Sequence, residues 1–166
     1  MRQLTIVRHA KASWDTPDLS DFERALNERG RRDAARMAAW TRDTIGVPDA
    51  IVTSPALRAI TTARIFAGAL GIDREQLLIQ ARIYEASLST LLRLLHSFDD
   101  ATPHVMLFGH NPGLSELTRT LARCPFEGLP TCAVVQLELP AQCWADVAEN
   151  SGELLRHMFP KQLGEI

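Results

Sequence analysis

The sequence predicts an α/β fold, a three-layer α/β/α sandwich with a mostly parallel central sheet. Three observations point there. Short β-like apolar runs alternate with longer runs of helical period along the chain. Helix start and stop signals fall between the β-like runs rather than inside them. With 166 residues, 46% of them apolar and 23% charged, the chain is long enough for one substantial core, so it is read as a single domain over 1–166.

The elements follow in order. The run at 4–7 is a first strand, short and apolar as in a strand covered on both faces. A polar loop at 11–23 follows, rich in aspartate and interrupted by Pro17. Leu26 and Asn27 supply a staple residue and an N-cap for a helix over 27–45. Ala34, Met37, Ala38, Thr41 and Ile45 fall at helical spacing, and Gly46 with Pro48 ends the run. A second strand spans 50–53. Ser54 and Pro55 read as a hydroxyl cap followed by proline at the first helical position, opening a helix that Gly71 closes after Leu70. A third strand at 77–81, a helix at 87–98 and a fourth strand at 104–108 come next. After the turn Gly109-His110-Asn111-Pro112-Gly113, a short helix at 114–121 precedes two further strands at 133–139 and 153–159.

Composition excludes several function classes. Lys plus Arg is 18 and Asp plus Glu is 20, a net charge of -2, which gives no electrostatic case for a nucleic-acid or membrane-surface partner. Any anion site has to be a local concentration of basic groups. Cys124, Cys132 and Cys143 are odd in number and form no C-x-x-C pair, so neither a disulfide framework nor a cysteine zinc site is expected, and a reducing, cytoplasmic setting fits. The pair Arg8-His9 interrupts the opening apolar run before a signal-peptide core could form. No run approaches the ~20 apolar residues needed to cross a bilayer.

Four chemistry-bearing segments share one topological position, each just after one of the first four predicted strands. They are Arg8-His9-Ala10-Lys11, Ser54-Pro55-Ala56-Leu57-Arg58, Tyr84-Glu85-Ala86-Ser87 and Gly109-His110-Asn111-Pro112-Gly113. Ligands of open α/β sheets bind outside the carboxyl ends of the strands, so these segments can converge. Together they hold two histidines, arginines, a carboxylate and a helix N-terminus, the inventory for gripping a phosphoryl group and attacking it with an imidazole. Arg58, in the first turn of its helix, can act on the same anion as the positive helix end. Arg8 supplies a second planar, bidentate clamp. A nucleophilic histidine at position 9 has to be neutral at the attacking nitrogen, a state that flanking arginines favour. Its other nitrogen needs an acceptor, a backbone carbonyl that the sequence does not identify. His110 can donate to a phosphoryl oxygen as charge spreads in a loose transition state. This chemistry requires no metal and no cofactor.

These residues carry a family resemblance. Arg8-His9-Ala10 resembles the Arg-His-Gly signature of the histidine phosphatase (phosphoglycerate mutase-like) superfamily, with alanine in the third place. The run Leu4-Thr-Ile-Val-Arg-His-Ala-Lys-Ala-Ser-Trp14 is similar to the short SixA-type phosphohistidine phosphatase branch. Ser54-Pro55-x-x-Arg58-Ala59-x-x-Thr62-Ala63 and Gly109-His110-Asn111-Pro112-Gly113 match the family's other two blocks in order. The resemblance implies a phosphoglycerate mutase-like fold, phosphorylation of His9 during turnover, and a phosphate pocket of Arg8, Arg58 and His110.

The proton donor is open between Glu85, Asp15 and Asp21; for Glu85 an ordinary acid at a helix start is the competing reading. The missing unambiguous acid favours P–N over unactivated P–O substrates, because imidazole leaves more readily than an alkoxide. Short connections between the blocks leave little room for a cap over a small metabolite. The expected substrate is therefore phosphohistidine in a phosphorylated protein; a small phosphate ester, or phosphate sensing without catalysis, is the alternative. The remaining residues have plainer readings. Lys11 and Ser13 belong to a solvated loop, and Thr61 and Thr62 to a helix surface. Trp14 packs the loop down. Arg24, Arg29, Arg31, Arg32 and Arg36 form an ion-paired face with Glu23, Glu28 and Asp33. His96, His104 and His157 lack metal-ligand spacing.

Overall fold

The computed structural model describes residues 1–14 and 18–164. Those residues form a six-stranded sheet ordered β3-β2-β4-β1-β5-β6, where β1 is Arg2–Arg8, β2 Ala50–Thr53, β3 Leu78–Ile79, β4 His104–Gly109, β5 Val134–Leu139 and β6 Glu153–Met158. The pairings of β1 with β4, β4 with β2 and β2 with β3 are parallel, and β5 and β6 close the other side antiparallel. The helices are α1 (Glu28–Thr44), α2 (Leu57–Leu70), α3 (Leu88–His96) and α4 (Gly113–Leu121). This is the three-layer α/β/α sandwich that the alternation predicts.

The layers follow from strand periodicity. Successive residues of β1 and β4 point to opposite faces, and both faces are covered. Leu4, Ile6, Val105 and Leu107 join the core cluster that includes Leu91, Leu94, Leu114 and Leu117 of α3 and α4. Val7, Met106 and Phe108 join the opposite cluster with Met37 of α1 and Phe66 of α2. Phe66 and Phe108 meet edge to face, with ring centroids 5.1 Å apart.

Capping signals place most helix ends. The Asn27 side chain accepts from the Gly30 amide, Gly71 takes the left-handed conformation after α2, and Ser87 accepts from Thr90 at the start of α3. Gly30 also lets α1 lie against the loop after β1, since a Cβ there would overlap the Lys11 carbonyl. Two expectations need correction. Ser54 does not cap α2: the helix starts at Leu57 with Ala56 at its N-cap, because the chain bends at Pro55 and Ala56 first and the Ser54 hydroxyl faces His110. The third strand shrinks to Leu78–Ile79 at the sheet edge, where it has one neighbour, and the chain turns at Ala81–Ile83. No helix of the described residues is long and apolar enough to cross a membrane.

Candidate active site

Register assembles the pocket floor. Parallel pairing sets Arg8 opposite Gly109, so the residues that follow, His9 and His110, leave the sheet side by side. The His9 amide donates to the Gly109 carbonyl at 3.1 Å, and the two ring centroids are 5.2 Å apart. Arg58 enters from the first turn of α2, buried to 6% exposure. Of the four segments that sequence places at the strand ends, three thus meet at one spot, and the fourth contributes Tyr84, whose ring lies 5.6 Å from that of His110.

The His9 tautomer follows from its partner. His9 is 8% exposed, and its Nδ1 lies 2.7 Å from the Ala10 carbonyl. A carbonyl only accepts, so Nδ1 carries the proton and Nε2 keeps its lone pair. Burial pushes the His9 pKa down to about 4; the Ala10 carbonyl opposes this, and the charges of Arg58, Arg8 and Arg24 reinforce it. His110 is driven to about 3, again chiefly by burial, with the charges of His9 and Arg58 contributing. The Ser54 hydroxyl accepts from the Ala56 amide at 3.2 Å and faces His110 Nε2 at 2.8 Å. The hydroxyl can donate to Nε2 or accept from it, so it holds the His110 ring in either tautomer, while Nδ1 is buried and has no partner.

The cations are held on their outer sides. Arg8 donates to the Leu129 carbonyl at 2.9 Å, and Asn111 reaches the same carbonyl at 2.8 Å. Arg58 donates to the Asp21 carbonyl at 2.6 Å and to the Asp21 carboxylate at 2.9 Å. The Nε atoms of Arg8 and Arg58 are buried without partners. The Asp21 carboxylate also accepts from Tyr84 at 2.7 Å and from Arg24 at 3.1 Å. Those bonds, Tyr84 first and then the arginines, hold its pKa at about 2 against the opposing effect of burial. Asp21 is therefore ionised at neutral pH and acts as a strut for Arg58, a role that does not suit a proton donor. Glu85 is exposed, takes φ +54° and makes no hydrogen bond or ion pair among the described residues. Asp15 lies outside the described residues.

Several contributors escape the sequence reading. Thr62 is buried, not at a helix surface: it accepts from the Ala10 amide at 3.0 Å and donates to the Arg58 carbonyl at 2.8 Å, tying α2 to the residue after His9. Alanine at position 10 fits because this amide and carbonyl are both engaged and its φ is not positive. Arg24 faces the site through Asp21 and stacks over Trp14, 3.2 Å from the ring centroid. Trp14 itself is 74% exposed, so it does not pack the loop down. The ion-paired arginine face is also corrected: of its arginines only Arg24 and Arg29 pair with acids among the described residues, Asp33 being taken by Arg29 while Arg36 donates to the Gly164 carbonyl. Among the described residues no three His, Cys, Asp or Glu side chains gather as a metal site would require.

Comparison with known proteins agrees with this geometry. A SixA from Agrobacterium tumefaciens, described as a candidate phosphohistidine phosphatase, is 27% identical with a TM-score of 0.79, over 95% of this chain and 97% of that one. A protein histidine phosphatase SixA complexed with tungstate superposes with a TM-score of 0.81 at 21% identity, covering 97% and 99% of the two chains. The mycobacterial glucosyl-3-phosphoglycerate phosphatase shares the fold at 15% identity, with a TM-score of 0.67 over 93% and 97%. The sequence profile of the histidine phosphatase superfamily (branch 1) matches residues 4–96, more than half the chain. A neutral histidine among buried guanidinium groups at the end of β1, on this sheet and under this profile, makes the chain a member of the histidine phosphatase superfamily.

Proposed function

We propose that the protein is a phosphohistidine phosphatase that works through a phosphorylated His9. One observation carries the reading: a neutral His9 with its Nε2 lone pair free stands against His110, ring centroids 5.2 Å apart, in the positive field of Arg58 and Arg8. A phosphoryl group held there would meet an imidazole nucleophile and cations that match its charge. The His9 Nε2 lone pair attacks phosphorus while the bond from phosphorus to the substrate nitrogen breaks; the substrate ring, protonated at its other nitrogen, keeps that electron pair and departs as neutral imidazole. Water then cleaves the His9–phosphorus bond, releasing inorganic phosphate and restoring the imidazole. The arginines and His110 meet the charge spread over the equatorial oxygens, so this reading needs no metal.

The substrate class rests on the proton inventory. Asp21 is locked as a carboxylate, which leaves Glu85, next to Tyr84, or Asp15 as the acid for a leaving oxygen; a leaving imidazole depends on either less. The likeness to the A. tumefaciens SixA supports the same class. The test compares kcat/KM on a phosphohistidine protein with that on sugar phosphates. Preference for the phosphoprotein is expected, and preference for the sugar phosphates would make the enzyme a small-molecule phosphomonoesterase. Glu85→Gln should impair P–O cleavage more than P–N cleavage; equal losses would assign the acid elsewhere.

A further inference from the structure

A second cationic feature lies beside the pocket rather than in it. Between α1 and α2 runs a groove of about 630 Å³ lined by Arg31, Arg64, Arg74, Ile65 and Ile72, with Thr61 and Gly68 along its α2 wall. Leu57, Thr61, Arg64 and Gly68 mark one stripe of α2, whose first residue precedes Arg58 in the sequence, so the groove runs along the helix that delivers Arg58 to the site. From position 57 to 68 the stripe runs ~16 Å. The three arginines are exposed, and none has an ion pair or side-chain hydrogen bond among the described residues. The acid among the lining residues, Asp73, already accepts from the Glu75 amide. Three arginines against one lining carboxylate leave the strip net basic in a chain of net charge -2.

Gly68 adds an independent observation. It sits inside α2 at a helical φ, and a Cβ built there meets nothing within 4 Å. Neither backbone conformation nor packing calls for glycine, which weakens a helix interior relative to alanine. The missing side chain does keep the groove wall low.

We propose that this groove docks an acidic polypeptide segment, and, resting on the phosphohistidine reading above, that the segment belongs to the phosphorylated protein whose side chain reaches His9. Carboxylates of the segment pair with Arg31, Arg64 and Arg74, while its apolar side chains lie on Ile65 and Ile72. The lining contains no aromatic residue on which a base could stack, which favours polypeptide over single-stranded nucleic acid. Leu57, 38% exposed, and the exposed Phe22 and Trp14 extend the surface around the pocket mouth with apolar contact area.

The test uses the full chain and a short fluorescein-labelled Glu/Leu peptide, with a Gln/Leu peptide and a single-stranded oligonucleotide as controls, followed by anisotropy. The acidic peptide should bind best, weaken steeply with salt, and lose roughly tenfold in affinity in the double variant Arg64→Glu, Arg74→Glu. Gly68→Leu, which leaves every charge in place, should also block it, whereas Gly68→Ala should raise Tm and leave folding secure. In turnover, the charge-reversed enzyme should show a raised KM at unchanged kcat on a phosphohistidine peptide with an acidic flank, and unaltered hydrolysis of an aryl phosphate. Equal binding of acidic and neutral peptides, indifference to both variants, or tighter binding of the oligonucleotide would overturn the proposal. Groove-dependent binding of the acidic peptide with no turnover of any phosphohistidine peptide would uphold the docking surface and remove the substrate reading instead.

Discussion

At the floor of the pocket, His9 and His110 are placed by strand register, the first buried and the second half-buried, and kept neutral chiefly by burial. At its rim, Asp21, Arg24 and Tyr84 hold one another through ion pairs and hydrogen bonds on segments of turn and loop, with Asp21 still 42% exposed at its side chain. The floor is fixed by packing that no single substitution undoes gently. The rim is a set of solvent-screened contacts, each of modest worth. Reactivity should therefore be concentrated in the floor, and orientation and reach in the rim.

The strongest way to break that contrast is His9→Ala. It should abolish turnover by roughly 10⁴-fold or more and remove acid-labile phosphate from the protein. Residual activity near wild type would move the nucleophile elsewhere. Arg58→Ala should cost ~10²–10³ in kcat, as for loss of one preorganised donor, and lysine should not restore it because the planar fork is missing. Steady-state assay on an aryl phosphate reads both.

Acid tests the floor as a whole. The two histidines titrate lower in the fold, at about 4 and about 3, than their ordinary 6.5, so the unfolded chain takes up protons that the native state refuses. Stability is complete above pH 6.5 and is lost as pH falls from there toward 4, by about tenfold in the folding equilibrium per pH unit for each histidine. Asp21 works with the same sign at lower pH: its contribution is present above 3.8 and lost toward 2. Urea denaturation at a series of pH values checks the window, and flat stability between pH 7 and 4.5 would contradict it.

Smaller effects sharpen the comparison. Ser54→Ala frees the His110 ring and should lower kcat by roughly fivefold with little change in KM. Asp21→Asn keeps a hydrogen-bonding oxygen for Arg58 and Tyr84 but loses the charge, so KM should rise about two- to threefold with kcat nearly intact. A loss of orders of magnitude in kcat would instead make Asp21 a proton donor and erase the division between floor and rim.

The floor was legible in the sequence and the rim mostly was not. Arg8, His9, Arg58 and His110 follow short apolar runs, and strand-end topology brings such positions together whatever their separation. Asn27, Gly71 and Ser87 were legible as caps because their partners are local. Ser54 misleads for the same reason: a hydroxyl before proline is a local helix signal, but its partner His110 is 56 positions away. The links from Arg58 to Asp21, from Thr62 to Ala10 and from Arg8 to Leu129 are likewise long-range, and no periodicity encodes them. Trp14 escaped because its ring is covered by a guanidinium rather than by core.

The strand order has a consequence for how the protein is made. β1 comes first in the sequence but lies between β4 and β5, both of which come late. At a synthesis rate of ~5–20 residues per second, the opening strand waits for roughly 5–20 s before its parallel neighbour leaves the ribosome. Until then His9 has no companion imidazole, no enclosing walls and no reason to titrate away from an ordinary histidine. The nascent chain is thus chemically inert, and competence arrives in one late event when the middle of the sheet zips shut.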